Sequence, residues 1–151
     1  MFKISKLTDY AVVILTRLAE TPGSLSSATA ISEITRLPEP TVAKIMKLLA
    51  AQGILVSVRG AHGGYRLADD AVSISMADIV VAIDGPVSLT ACVEGSHEKC
   101  DYAECCPVNG RWTKVNTAVR SALENISLAD MMPRHTKGQQ TDAKTLEEVR
   151  V

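Results

Sequence analysis

The sequence predicts a mainly helical fold carrying one small β-hairpin, and three observations lead there. Hydrophobic residues make up 46% of the 151-residue chain and aromatics only 3%, so Ala, Val, Ile and Leu must build the core, which favours helices. Apolar residues recur at helical spacing over residues 7–20, 40–52 and 108–126. Between the last two lies ILVSVRGAHGGYRLA, a β-branched stretch, a glycine-rich tip and a returning stretch. Helix, breaker, helix and Gly-tipped hairpin, in that order, describe a winged helix-turn-helix. The length is that of one domain with a real core.

The elements follow in order. Residues 7–20 place Leu7, Ala11, Ile14, Leu15 and Leu18 on one helical face, with Thr8 as the expected N-cap and Pro22-Gly23 as the stop. TAISEITR, residues 29–36, makes a short second helix. Leu37-Pro38-Glu39-Pro40 breaks it and starts a third helix over 40–52, where Pro40 suits a first turn that lacks N–H partners anyway. Val42, Ile45, Met46 and Leu49 form its inward stripe, and Gly53 ends it. Residues 54–59 and 65–68 pair as the wing, with Gly60, Gly63 and Gly64 at its tip. Residues 76–83 form a fourth helix introduced by Ser75 and ended by Asp84-Gly85-Pro86. A long helix is expected over 108–126, with Val108, Trp112, Val115, Val119, Ala122 and Ile126 as a heptad-like seam. Its length would be about 28 Å, and its seam reads as a dimer interface. SLADMM, 127–132, reads as a capped turn on Ser127. The divisions are 1–85 for the reader, 86–107 for a cysteine-rich loop, 108–132 for the dimerisation helix and 133–151 for a polar tail expected to be disordered.

Charge separates along this frame. Residues 1–67 hold eight Lys/Arg against four Asp/Glu, and residues 68–132 hold four against ten. The cationic part is the one with the reader pattern, as attraction to phosphate requires. No apolar run reaches the ~18 residues of a membrane span. The basic-then-apolar start carries Asp9 and lacks a small-residue cleavage site, so it does not read as a signal peptide, and a cytoplasmic protein is expected.

All four cysteines lie in one window, Cys92-x7-Cys100-x4-Cys105-Cys106, among Glu94, Glu98, Asp101 and Glu104. In the cytosol such clustering points to metal or redox chemistry. The spacing matches neither a zinc ribbon nor a C-x-x-C redox pair. Adjacent Cys105 and Cys106 rarely reach one metal together, so three thiolates are expected to ligate. An iron–sulfur cluster, zinc and reversible thiol oxidation all stay open on spacing alone. Nearby carboxylates disfavour a bare thiolate, and a bound cation relieves that repulsion. An enzyme is not expected: there is no C-x-x-C, no evident Cys–His arrangement, and the GAHGGY run has no helix to make it a phosphate loop.

KLTDYAVVILTRLA, LPEPTVAKIMKLLAAQGILVSVRGAHGGYRLA, SMADIVVAIDGPVSLTAC and CCPVNGRWTKVNTAVRSALENISLADM together resemble the IscR-type iron–sulfur transcriptional regulators. This is the family that also includes the nitric-oxide sensor NsrR. Within it the match is to the branch regulating the SUF iron–sulfur assembly system. The resemblance implies a homodimer of winged helix-turn-helix subunits crossed through the long helix. It implies three cysteine ligands, which fall on Cys92, Cys100 and Cys106, the last because it directly precedes the Pro-Val that opens the long helix. Cys105 is then an extra thiol, a bystander or an alternative ligand. IscR-like members carry a histidine where this chain has Asn109. NsrR-like members use an Asp of the partner's first helix, and Asp9 occupies that place, with His97 as its rival. A [2Fe–2S] cluster is favoured and a [4Fe–4S] cluster is the alternative.

For double-stranded DNA, the expected contacts are Thr41, Lys44 and Lys47 on the exposed face of the third helix. The resemblance adds Arg59 and the wing tip, His62, Gly63, Gly64 and Tyr65, with Arg59 in a narrow A·T-rich minor groove. The function expected is a repressor of iron–sulfur assembly genes that senses cluster status, with a zinc or thiol-redox regulator of the same fold as the alternative.

Overall fold

The first helix, α1 (Lys6–Ala19), starts at Ser5, whose hydroxyl accepts the Thr8 N–H. A cap of this kind contributes about 1 kcal/mol. In this computed structural model, residues 3–96 and 98–133 are described. Thr8, expected as the cap, instead lies at the third position of the helix, fully buried, because Ser5 has already taken the role. His97 and the tail beyond Pro133 lie outside the described residues.

Helix α2 (Ala28–Thr35) is capped by Ser27 and ends on Arg36, which adopts the left-handed conformation at φ 58°. Such a residue costs about 1 kcal/mol without support. Support comes from the Arg36 N–H donating to the Ser32 carbonyl at 2.8 Å and the Ser32 hydroxyl donating to the Leu37 carbonyl at 2.7 Å. The turn delivers the chain into α3 (Glu39–Ala51), with a proline in its first turn. Val42, Ile45, Met46 and Leu49 are fully buried, the stripe the sequence predicts. The Thr29 hydroxyl donates to the Glu39 carboxylate at 2.9 Å, tying α2 to α3.

The wing is β1 (Leu55–Val58) against β2 (Gly64–Leu67), antiparallel, from Leu55 opposite Leu67 to Val58 opposite Gly64. A third segment joins it: Ser26 and Tyr65 exchange backbone hydrogen bonds of 3.0 and 2.9 Å. This approach explains Gly64, where a Cβ would lie 2.8 Å from the Ser26 carbonyl oxygen. At Gly63 a Cβ would run into the Val58 carbonyl.

Helix α4 (Met76–Asp84) carries a full capping box, Ser75 with Asp78. The next helix, α5 (Thr113–Glu124), is shorter than predicted and begins five residues later than position 108. The reason is Asn109-Gly110. Gly110 takes φ 69°, a left-handed turn no right-handed helix can include, so Val108 and Trp112 stand in turns before the helix. Helix α6 (Leu128–Met131) does start on Ser127, through a second capping box with Asp130. It returns to the reader. Leu128 is fully buried in the common core with Ile14, Leu15, Ile45 and Ile79. Backbone bonds of 2.8 Å join Met76 to Ile126 and Leu128 to Ile74. The architecture is therefore mainly α with a β-hairpin wing, as the sequence predicts. No helix among the described residues is long and apolar enough to cross a membrane.

Candidate nucleic-acid interface and cysteine loop

Burying one side of α3 fixes what its other side offers. Lys44 and Lys47 are exposed and Thr41 half-buried, at helical spacings that place all three on one face. Arg59 and His62 are exposed at the wing, Gly63 and Gly64 half-buried beside them. Tyr65 differs: its ring packs on the hydrophobic core, and its backbone holds the Ser26 bridge. The basic face of α3 and a basic wing tip are the two parts a winged reader presents to DNA.

The cysteine loop runs between α4 and α5 and is built largely of turns. Backbone N–H groups three residues on donate to the carbonyls of Thr90, Val93, Cys100, Tyr102 and Cys106. Val93 is buried and anchors the first part. All four thiols are free, with Cys92, Cys100 and Cys106 half-buried and Cys105 exposed. Cys92 Sγ lies 3.3 Å from the Thr90 hydroxyl. That hydroxyl, then the Gly110 backbone N–H, hold the Cys92 thiol below its ordinary pKa. A hydrogen bond given to the sulfur favours the thiolate. Asn109, in the place of the family's histidine, donates its amide to the Ala103 carbonyl at 2.8 Å, so it braces the loop.

Asp9 is exposed on α1 and lines an open, largely apolar groove of about 440 Å³ with Val12, Met76, Val80, Leu123 and Met131. Among the described residues, no three His, Cys, Asp or Glu side chains converge as a metal-holding group within one chain. The donor types do fit a thiolate-bound centre: three partly exposed free thiols, one of them held below its ordinary pKa.

Four residues to which sequence reading gives no role at the loop now stand near it. Thr8 and Ser5 donate their hydroxyls to Asp84 at 2.8 and 2.9 Å. Asn116, nearly buried on α5, bonds the backbone of Val87 and Leu89. Polar residues interrupting helical apolar periods, Thr8 and Asn116 above all, were the available signal.

A basic helix face and wing on this framework define a DNA-binding transcriptional regulator. A family model described as "Rrf2: Iron-dependent Transcriptional regulator" matches residues 4–134. The chain belongs to the Rrf2 family of transcriptional regulators. It is 25% identical over 129 residues to a protein of Aquifex aeolicus (strain VF5) assigned to the HTH-type transcriptional regulators, covering 85% of this chain and 90% of that one. The fold is similar to CymR (YrzC), the global cysteine regulator of B. subtilis, with TM-score 0.65, 28% identity, and 87% and 96% of the two chains covered. It is likewise similar to T. potens IscR, with TM-score 0.61, 33% identity, and 86% and 85% covered. These relatives are regulators, not enzymes.

Proposed function

We propose that this protein is a cytoplasmic, homodimeric repressor of iron–sulfur assembly genes whose DNA binding depends on a cluster held by Cys92, Cys100 and Cys106, with Asp9 of the partner subunit as the fourth ligand. The observation that carries the reading is the set of free cysteines gathered in one acidic loop between α4 and α5, with Cys92, Cys100 and Cys106 half-buried. The likeness to T. potens IscR supports it. A [2Fe–2S] cluster is favoured over [4Fe–4S]. When bound, such a cluster supplies a centre whose charge and integrity track iron and oxidant.

The chain's own residues do the rest. The cysteine thiolates bring the turns of residues 92–106 together, and their carboxylate neighbours gain a cation to face. Asp9 lies on α1, which packs against α3 in the common core, so a ligand on α1 is linked to the angle of the reading helix. Lys44 and Lys47 then meet phosphates or guanine edges while Arg59 reaches the minor groove. Dimerisation is supported by apolar side chains left exposed on α5 and just past its end: Val115 is 46% and Ile126 42% exposed. Exposed large apolar residues of this kind are what a second copy would cover.

The test is anaerobic purification, with the absorption spectrum, iron and acid-labile sulfide measured on one sample, and operator binding compared with and without metal. Brown protein with near-equal iron and sulfide, and weaker DNA binding once metal is removed, is expected. Colourless protein that takes up no iron on reconstitution would sink the reading. The second reading, a zinc or thiol-redox regulator, is favoured by the depressed Cys92 pKa and the exposed Cys105. It predicts zinc or a peroxide response with no sulfide.

A further inference from the structure

Among the described residues, the buried polar side chains are Thr8 and Asn116, 0% and 7% exposed. Both serve one short segment, residues 84–89, which leads into Cys92. Thr8 grips Asp84 at its start. Asn116 grips its end: Oδ1 accepts the Leu89 N–H and Nδ2 donates to the Val87 carbonyl, each at 2.9 Å. An N–H and a C=O two residues apart on one edge are what a neighbouring β-strand would bond, so the amide takes the place of a strand. A buried amide with both ends satisfied resists displacement, because breaking either bond strands a polar group away from water. Thr90 follows at once, with its hydroxyl on Cys92 Sγ.

We infer that Asn116 is a positioning residue for the cysteine centre: it holds residues 87–89 against α5, so that Cys92 is placed before any metal arrives. Cys100 and Cys106, on a stretch bonded mainly through its own turns, then close onto a ligand already set. The inference rests on the reading of Cys92 as a ligand.

Hydrogen exchange of the metal-free full-length protein tests the placement, and iron release to a ferrous chelator tests its consequence. Asn116→Ala should speed exchange across residues 87–93 by about tenfold, while α1 and α3 keep their protection. Iron should leave the loaded variant about tenfold faster, the range typical for groups that orient a ligand. Asn116→Asp, which keeps the acceptor for Leu89 but turns a carboxylate oxygen on the Val87 carbonyl, should also speed exchange across 87–93, and it replaces Asn116→Ala if that variant does not fold. Leu128→Ala weakens the core away from the loop and should leave iron release unchanged. Unaltered exchange over 87–93, or iron loss from Leu128→Ala as fast as from Asn116→Ala, overturns the inference. Faster exchange in a protein whose wild type binds no iron sinks the metal reading and leaves Asn116 as the residue that places Cys92.

Discussion

Replacing Asp84 by Ala should destabilise the fold more than replacing its buried partner Thr8 by Val. The Thr8 hydroxyl is wholly buried and donates 2.8 Å to Asp84 Oδ2. Removing the carboxylate strands that hydroxyl, a cost of about 1–3 kcal/mol. Its place at the positive end of α1 is offset by its place at the negative end of α4, so the helix dipoles add little. Ser5 Oγ, 3.3 Å from Thr8 Oγ1, recovers part of the loss, so about 2 kcal/mol is expected overall. Thr8→Val keeps the shape and deletes the group that needs a partner. Asp84 is exposed and keeps Ser5 and water, so the cost should be about 1 kcal/mol or less. The double variant removes the stranded hydroxyl and should be at least as stable as Asp84→Ala alone, a non-additivity that directly coupled pairs show. Urea unfolding of the metal-free protein, followed by far-ultraviolet circular dichroism at one protein concentration, measures all three. Costs that simply add in the double variant would refute the reasoning.

Four further outcomes are expected. Ala at Lys44, Lys47 or Arg59 should weaken operator binding and lower the slope of log affinity against log salt by about one each if the side chain meets a phosphate; an unchanged slope removes that contact. Gly63→Ala should disrupt the wing, since its Cβ meets the Val58 carbonyl, and lower both the melting temperature and operator affinity, whereas Ala at exposed Ala61's neighbour His62 should spare the melting temperature. Thr90→Val removes the largest influence holding the Cys92 pKa down, so less thiolate exists at a given pH and the Cys92 alkylation profile of metal-free protein should move to higher pH; an unmoved profile contradicts the assignment. Val115→Asp on the exposed seam should give monomers in sedimentation, and a persistent dimer would exclude α5 as the interface.

The reader was legible because its residues declare themselves locally. Val42, Ile45, Met46 and Leu49 follow the helical period, and the turn from Leu37 to Pro40 is written in its prolines. What escaped were features set by distant parts of the chain. Ser26 pairs with Tyr65 across thirty-nine positions, and no local pattern marks Ser26 as a strand. Thr8 has the chemistry of a cap, and only the presence of Ser5 and of Asp84 in the fold makes it a buried donor. The late start of α5 has a local signal, since Asn-Gly favours a turn, but an apolar period runs through it and masks the break. At the loop, the residue types were plain and their arrangement was not. Cysteine spacing names candidate ligands, whereas Asn116, which holds the approach to Cys92, looks in sequence like a polar break in a seam.

The return of α6 to the core has a consequence for synthesis. Leu128 fills a place among side chains of α1, α3 and α4, yet it is made after almost all the described chain. While the first eighty-five residues emerge from the ribosome, the pocket for Leu128 stays open and its apolar walls stay wet. The DNA-reading half is therefore completed only when the cysteine loop and α5 have also been made. A nascent or truncated chain without residues 126–131 leaves that place in the core unfilled, so the packing shared by α1, α3 and α4 is complete only once α6 has been made.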